Sequence, residues 1–366
     1  MTGTESDSID LAVVGGDGIG PEVCHSAIAV LERALDGVAA LFVRHLAGGA
    51  GTFLETGLAL PDDTLAACRQ ADAILHGAAG LPDVLFADGT EAGQDFSMKI
   101  RARLDLYANV RPIYLYPGVK TPLADQKPGA IDFVIVRENT EGLYAARGGG
   151  NLLGNEVATD TMVLTRTGTA RITEMAAKIC LQRNGAPADG KRRVTIVDKA
   201  NVLRSYAFFR QVADEVLAKY PEIEVEHIIV DAMTVHMLNR PGHFDVVVCE
   251  NLLGDILSDL GAAMVGGLGV APSGEMSTTH GYFQGSHGSA PDIAGKGIAN
   301  PTATILSAAM MLDWLAQKKP NPNLAAAAGR IRAAVEDVLA AGTCLTPDLG
   351  GDASSDQFTD AIIGRL

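Results

Sequence analysis

Short runs of β-branched or small apolar residues, most of them closed by a cluster of polar ones, most restrict what this chain can fold into. Residues 9–14, 71–76, 131–136, 193–197, 225–230 and 246–249 read as strands. Helical periodicity follows over residues 21–35, 64–70, 167–184, 202–220, 300–317 and 323–341. Strands alternating with helices predict an open, mostly parallel twisted sheet with helices on both faces. The polar clusters recur at strand ends: Arg137-Glu138-Asn139-Thr140-Glu141, Asp198-Lys199-Ala200-Asn201, Asp231, and Glu250-Asn251 with Asp255 beyond. In such sheets ligands bind outside the carboxyl ends of the strands, so the clusters point to one functional edge. The Gly-rich pieces 147–154 and 266–288 read as loops.

Asp255 and Asp259 stand at i and i+4 on the helix after residue 249, where like charges on adjacent turns repel. No Lys or Arg lies between Phe244 and Gly269, and Ile256, Leu257, Leu260 and Met264 leave little polar face. A cation from elsewhere is wanted, and a divalent metal with oxygen ligands is one candidate; a solvated acidic face is the plain alternative. Arg101, Arg111 and Arg137 have forks suited to a small polycarboxylate, or to surface ion pairs. Lys199, directly after a buried strand, is a candidate acid or base. Tyr144 is a candidate proton donor or a packing residue.

Gly15-Gly16-Asp17-Gly18-Ile19-Gly20-Pro21-Glu22 makes a tight turn into a helix but lacks the dinucleotide spacing, since Pro21 or Val23 falls where the third glycine belongs. Histidines 25, 45, 227, 236, 243 and 280 lack metal-ligand spacing, and no hydrolase elbow occurs. A net charge of -15 over 366 residues argues against nucleic acid. The five cysteines form no CxxC pair, which fits a reducing compartment. Residues 1–8 read as a disordered leader, with neither a signal peptide nor an apolar run that would span a membrane. A cytoplasmic protein is expected.

GGDGIGPE, LDLYANVRP, RENTEGLY, DKANVL, NLLGDILSDL and HGSAPDIAGKGIANPTA together resemble the β-decarboxylating dehydrogenases, the group of 3-isopropylmalate, isocitrate, homoisocitrate and tartrate or D-malate dehydrogenases. The resemblance runs nearly the whole length in family order. It implies an α/β, isopropylmalate dehydrogenase-like two-domain fold with a non-Rossmann NAD site. Residues 1–107 plus 266–366 would form the first domain, on the cofactor side, and 108–265 the second, with the dimer interface, metal and proton-transfer residues. By the same resemblance Asp255 and Asp259 hold Mg²⁺ or Mn²⁺ together with Asp231 of the partner subunit in a homodimer with shared active sites. Arg101, Arg111 and Arg137 grip substrate carboxylates, while Ser97 and Met98 read the remaining substituent. Lys199, again from the partner subunit, and Tyr144 move protons. His287, Gly288, Ser289, Ala290, Pro291, Asp292, Ile293 and Asn300 bind the cofactor. Asp292 would repel a 2′-phosphate, so NAD rather than NADP is expected.

The implied activity is NAD- and metal-dependent oxidative β-decarboxylation of a 2-hydroxy dicarboxylic acid, best read as 3-isopropylmalate or a related 3-substituted malate. Isocitrate, tartrate, D-malate and homoisocitrate are the alternatives, as is a non-catalytic regulatory subunit. Five positions depart from the pattern. Gln94, Ser97 and Met98 stand where isopropylmalate enzymes carry a Glu and two Leu. Gln284 stands where relatives usually show an acid, and Gly15 where proline is common. Asp95, if it faced the pocket, would repel an extra carboxylate.

Overall fold

The computed structural model describes residues 8–319 and 321–366, so all of the expected leader except Ser8 lies outside the described residues. The chain divides into two compact units: Met1–Leu106, Tyr116–Lys120 and Gly266–Leu366 form the first, Tyr107–Leu115 and Thr121–Val265 the second. Among the described residues no helix is long and apolar enough to cross a membrane.

The first unit opens with β1 (Ser8–Gly16), α1 (Gly20–Leu35), β2 (Ala40–Leu46), α2 (Ala50–Thr56), α3 (Asp62–Gln70), β3 (Ala73–Ala78) and α4 (Gln94–Arg103). The second unit contributes β4 (Ala108–Tyr114), β5 (Asp132–Glu138), β6 (Asn151–Leu153), β7 (Val157–Thr159), α5 (Arg166–Gln182), β8 (Arg193–Asp198), α6 (Arg204–Leu217), β9 (Glu224–Ile229), α7 (Val230–Asn239), β10 (Val246–Cys249) and α8 (Asn251–Met264). The chain then returns to the first unit with β11 (Pro272–Met276), β12 (Gly281–Gly285), α9 (Thr302–Lys318), α10 (Pro322–Ala341) and α11 (Ser355–Ile363).

Strand order in the first unit is β2-β1-β3-β12-β11, parallel except for the β11–β12 pair. Successive side chains of a strand face opposite ways, which distributes its core over two layers. Ala12 and Val14 of β1, Ile74 of β3 and Tyr282 of β12 pack with Phe96 and Ile100 of α4, while α1 and α9 pack against these strands as well. In the second unit the order is β4-β5-β10-β8-β9, with only β4–β5 antiparallel. Phe133, Ile135, Val247 and Cys249 meet Met233 and Met237 of α7 and Leu253 and Leu257 of α8. The alternate residues Val134, Val136, Val246 and Val248 are buried too, and α5 packs on β5 and β10. The mixed, mostly parallel α/β class expected from the alternation holds.

Two expected loops contain strands. Within residues 266–288 lie β11 and β12, whose glycines conceal a β pattern because Gly274 and Gly281 are small to admit the Phe283 ring, 3.0 and 2.7 Å from where their Cβ atoms would be. The piece 147–154 contains β6, which pairs with β7 as an isolated antiparallel ribbon. Val230, expected to end a strand, instead opens α7 and places Asp231 in its first turn.

Candidate active site

In the second unit the strand–turn–helix at residues 246–264 is set by Glu250. Its buried carboxylate caps α8, accepting from Leu252 N at 2.9 Å and Leu253 N at 3.4 Å, and accepts from the Tyr206 hydroxyl at 2.7 Å. Asn251, Asp255 and Asp259 follow at i, i+4 and i+8, one stripe along α8. The stripe faces two arginines carried by neighbouring antiparallel strands, where Asn109 of β4 sits opposite Arg137 of β5.

Arg137 is 1% exposed. Its Nη1 donates to Asp255 Oδ1 at 2.5 Å, and its Nε and Nη2 donate to Asn251 Oδ1 at 3.0 and 2.6 Å. Arg111 donates from Nη1 to Ser258 Oγ at 2.7 Å and to Asp259 Oδ1 at 3.2 Å, and lies 3.6 Å from Asp255. The cation that the aspartate pair requires is therefore present in the chain, on strands more than a hundred residues upstream. The Tyr144 hydroxyl donates to Asp255 Oδ2 at 3.0 Å, with the Arg137 guanidinium 5.7 Å from the centre of its ring. Burial first, then the Asp255 charge, push Tyr144 above the usual tyrosine range, so it keeps its proton at neutral pH.

Gly254 makes the arrangement possible. A Cβ there would lie 2.6 Å from Arg137 Cγ, 2.7 Å from its Cβ and 3.1 Å from Cys249 Sγ, so only glycine lets the arginine pass along α8.

Lys199, just past β8, forms an ion pair and hydrogen bond with Asp231 on α7. That bond holds Asp231 below the usual carboxylate range. Asp255 and Asp259 present hard oxygen donors suited to Mg²⁺ or Mn²⁺. Among the described residues of one chain, however, no group of three His, Cys, Asp or Glu is placed to hold a metal ion. The pair by itself could supply only part of a coordination shell.

In the first unit, Arg101 of α4 is bidentate to Glu275 of β11, with Nε at 2.8 Å and Nη2 at 2.6 Å from the carboxylate oxygens. Gln284 Nε2 donates to Glu275 Oε1 at 2.9 Å. Ser97 is buried and Met98 half-buried on the same helix, whereas Asp95 pairs with Lys99 one turn on at 2.5 Å. The repulsion considered for Asp95 is thus compensated within α4.

The glycine turn of residues 15–20 lies against the segment expected to bind a cofactor. Ile19 N donates to Ser289 O at 2.8 Å, and a Cβ on Gly18 would stand 1.9 Å from that oxygen. Asp17 is structural: it accepts from Ala50, Gly51 and Gly80 amides at 2.7 to 2.8 Å, capping α2. Ser289 Oγ donates to Gly80 O. Ala290 has φ of 38°, an uncommon left-handed alanine that reverses the chain before Pro291 and the exposed Asp292. Asn300 accepts from Thr302 N at 3.0 Å and donates to Asp348 Oδ2 at 2.9 Å. Burial lowers His287 below the usual histidine range, so the ring is neutral. Its Nδ1 lies 3.0 Å from Gly288 O. A neutral imidazole and an exposed carboxylate on one segment could hold a nucleotide cofactor, the carboxylate accepting from ribose hydroxyls.

Sequence reasoning had assigned no role to Asn251, Ser258 or Glu275. The i, i+4, i+8 spacing of Asn251 with the two aspartates was a usable signal. Nothing in the sequence joins Glu275 to Arg101.

The chain matches the isocitrate/isopropylmalate dehydrogenase family over residues 10–362. It is 43% identical over 371 residues to a 3-isopropylmalate dehydrogenase of Clavibacter sepedonicus, covering 98% of each chain. It is 44% identical over 362 residues to an isocitrate/homoisocitrate dehydrogenase of Thermus thermophilus, covering 97% of this chain and 98% of that one. Among solved structures, isocitrate dehydrogenase from Methylococcus capsulatus superposes with a TM-score of 0.85 at 36% identity, over 98% of this chain and 99% of the other.

Proposed function

The chain belongs to the isocitrate/isopropylmalate dehydrogenase family, and from that premise we propose that it oxidises and decarboxylates a 2-hydroxy dicarboxylate, 3-isopropylmalate or a related 3-substituted malate, with NAD and Mg²⁺ or Mn²⁺. The observation that carries the reading is the cluster of Arg111, Arg137, Tyr144, Asp255 and Asp259. It unites carboxylate-binding forks, hard oxygen donors and a protonated phenol on one helix face and its facing strands.

Arg111 and Arg137 hold the substrate carboxylates, since a guanidinium fork matches a carboxylate bidentately. Asp255 and Asp259 of one subunit, with Asp231 of the partner subunit, hold the divalent ion, which when bound polarises the substrate oxygens and offsets developing negative charge. Lys199 of the partner subunit, released from Asp231 when that carboxylate turns to the metal, would assist removal of the substrate hydroxyl proton as a neutral amine, and a bound nicotinamide would supply the hydride acceptor. Once CO₂ has departed, the Tyr144 hydroxyl supplies a proton to the carbon that carried it, a role its raised pKa suits. Asp255 orients that hydroxyl through the bond it accepts. The segment His287–Ile293 with Asn300 holds NAD, and Asp292 disfavours a 2′-phosphate.

A homodimer with shared sites fits the surface of the second unit. Leu152 and Leu153 of β6, Val157 of β7, Val202, Leu203, Val235 and Leu238 are large apolar residues 44–75% exposed, and covering side chains of this size is favourable. Asp231, Val235 and Leu238 share one face of α7, so a second copy packed on that face reaches Asp231 and the adjoining Lys199. A reducing, cytoplasmic setting agrees with five free cysteines.

The test is direct. Purified protein with NAD and Mg²⁺ or Mn²⁺ is offered 3-isopropylmalate, isocitrate, homoisocitrate, D-malate and tartrate while NADH absorbance is followed. Turnover of a 3-substituted malate is expected, with loss on chelation, and no turnover of any of the five refutes the proposal.

A further inference from the structure

Asn251 opens α8 and is 1% exposed. An acid in the first turn of a helix is ordinarily favoured by the helix dipole, and an acid here would also lie against the Arg137 guanidinium. The chain carries an amide instead, and both ends of it are used. Oδ1 accepts from Arg137 Nε at 3.0 Å and Nη2 at 2.6 Å, while Nδ2 donates to Glu141 O at 2.9 Å. An aspartate cannot accept on one side and donate on the other in this way. Glu141 begins the short stretch that ends at Tyr144, whose hydroxyl donates to Asp255 Oδ2 at 3.0 Å, one turn further along α8. Gly142 turns the chain between them at a φ of 80°, and a Cβ there would stand 3.1 Å from Asn251 Cβ. Bonds from Gly142 N to Val163 O at 2.7 Å and from Thr165 N to Glu141 Oε2 at 2.8 Å tie this stretch to the residues before α5. The Asn251 amide ties it to α8.

We propose that Asn251 is a positioning residue that holds Arg137 through its oxygen and the Tyr144 stretch through its nitrogen, so that a carboxylate-binding group and a proton donor keep one register with Asp255 and Asp259 on α8. The proposal rests on the hydroxy-diacid reading above and deepens it, and every residue it uses lies within the second unit. Arg137 acts on the substrate carboxylate before the chemistry, so its displacement is read in the KM for the hydroxy acid. Tyr144 acts on the carbon that has lost CO₂, so its displacement is read in kcat. A carboxylate at residue 251 would keep the contact to Arg137 and lose the one to Glu141 O. It would also add a second negative charge one turn from Asp255, set against any dicarboxylate that Arg137 binds.

A double-mutant cycle on the intact protein tests this, with NAD, Mg²⁺ and whichever of the five hydroxy diacids turns over fastest. Asn251→Ala is expected to raise the KM for the hydroxy acid by about tenfold and to lower kcat by about 10²-fold, with the KM for NAD unchanged. In a Tyr144→Phe background the same change should still raise that KM but lower kcat by less than about threefold, because the residue it acts through is already disabled. A fall in kcat of full size in both backgrounds, an equal rise in both KM values, or wild-type kinetics in Asn251→Ala overturns the proposal. If Asn251→Ala does not melt cooperatively, Asn251→Ser takes its place in the cycle. Calorimetry in magnesium buffer gives a readout that needs no turnover: Asn251→Asp should bind isopropylsuccinate, an inert diacid, about tenfold more weakly than wild type. Unchanged or tighter binding by Asn251→Asp overturns the link to Arg137. Weakened binding with no turnover of any hydroxy diacid by wild type would sink the reaction and leave that link standing. Turnover by wild type with an additive cycle would do the reverse.

Discussion

Gly254→Ala separates helix propensity from close packing by the sign of its effect. In the interior of an ordinary helix the change stabilises by about 1 kcal/mol, because alanine loses less backbone freedom on folding. At residue 254 the added methyl would stand 2.6 Å from Arg137 Cγ and 2.7 Å from its Cβ, and neither atom lies at the far end of a flexible side chain. Relief requires α8 to shift away from β5 or Arg137 to change its course. Overpacking of this kind costs about 1–3 kcal/mol, so the net effect is a loss of up to about 2 kcal/mol. The shift also disturbs the bonds from Arg137 to Asn251 and Asp255, at 2.5 to 3.0 Å. Misplacement of a positioning group by about 1 Å lowers turnover by about 10²-fold. Urea unfolding followed by far-UV circular dichroism, alongside the NADH assay, measures both. A variant that unfolds at higher urea than wild type and retains full activity would refute the packing derived for α8 and Arg137.

His76 is fully buried, with its Nδ1 2.9 Å from Val14 O and its ring stacked on Phe96 and Tyr282. Burial lowers its pKa from 6.5 to about 4. The unfolded chain then binds the proton first, so the His76 contribution is intact above pH 6.5 and is lost as pH falls toward about 4. Melting temperatures across that window should flatten in His76→Phe relative to wild type, and an unchanged slope counts against a buried neutral ring. Tyr144→Phe removes the proton donor while leaving the ring beside Arg137; turnover should fall by about 10²–10⁴-fold with little change in KM, and unaltered turnover would remove Tyr144 from the mechanism. Asp292→Lys replaces an exposed carboxylate with a phosphate-binding cation, so the NADP-to-NAD activity ratio should rise by about tenfold or more; a constant ratio would show that Asp292 does not meet the ribose.

The strands with β-branched runs could be read directly, since the central residues of β5, β8 and β10 are buried on both sides and apolar apart from Thr195. β11 and β12 could not. Pro272, Gly274, Gly281 and Gly285 have low strand propensity, and their places in the sheet follow from the packing of Phe283 and Tyr282, a tertiary effect. The aspartates of α8 stood out by spacing and by the absence of a nearby cation. Their cation was invisible because Arg111 and Arg137 meet them across 148 and 118 residues of chain. Asn251 was within reach of the same periodicity. The Arg101–Glu275 pair was hidden twice, by a separation of 174 residues and by a glutamate lying in a stretch that reads as a loop.

The central claim is that one active site draws Asp255 from one subunit and Lys199 from its partner, and a mixing experiment measures it. Lys199→Met and Asp255→Asn proteins are each expected to be inactive as homodimers. Unfolded together and refolded as a mixture, they form heterodimers with one intact site and one doubly damaged site, and such a heterodimer should regain about half of the wild-type NADH production. Recovery of activity in the mixture, proportional to the heterodimer fraction, is the predicted result. A mixture as inactive as its two parents, with heterodimers shown to be present, would contradict it.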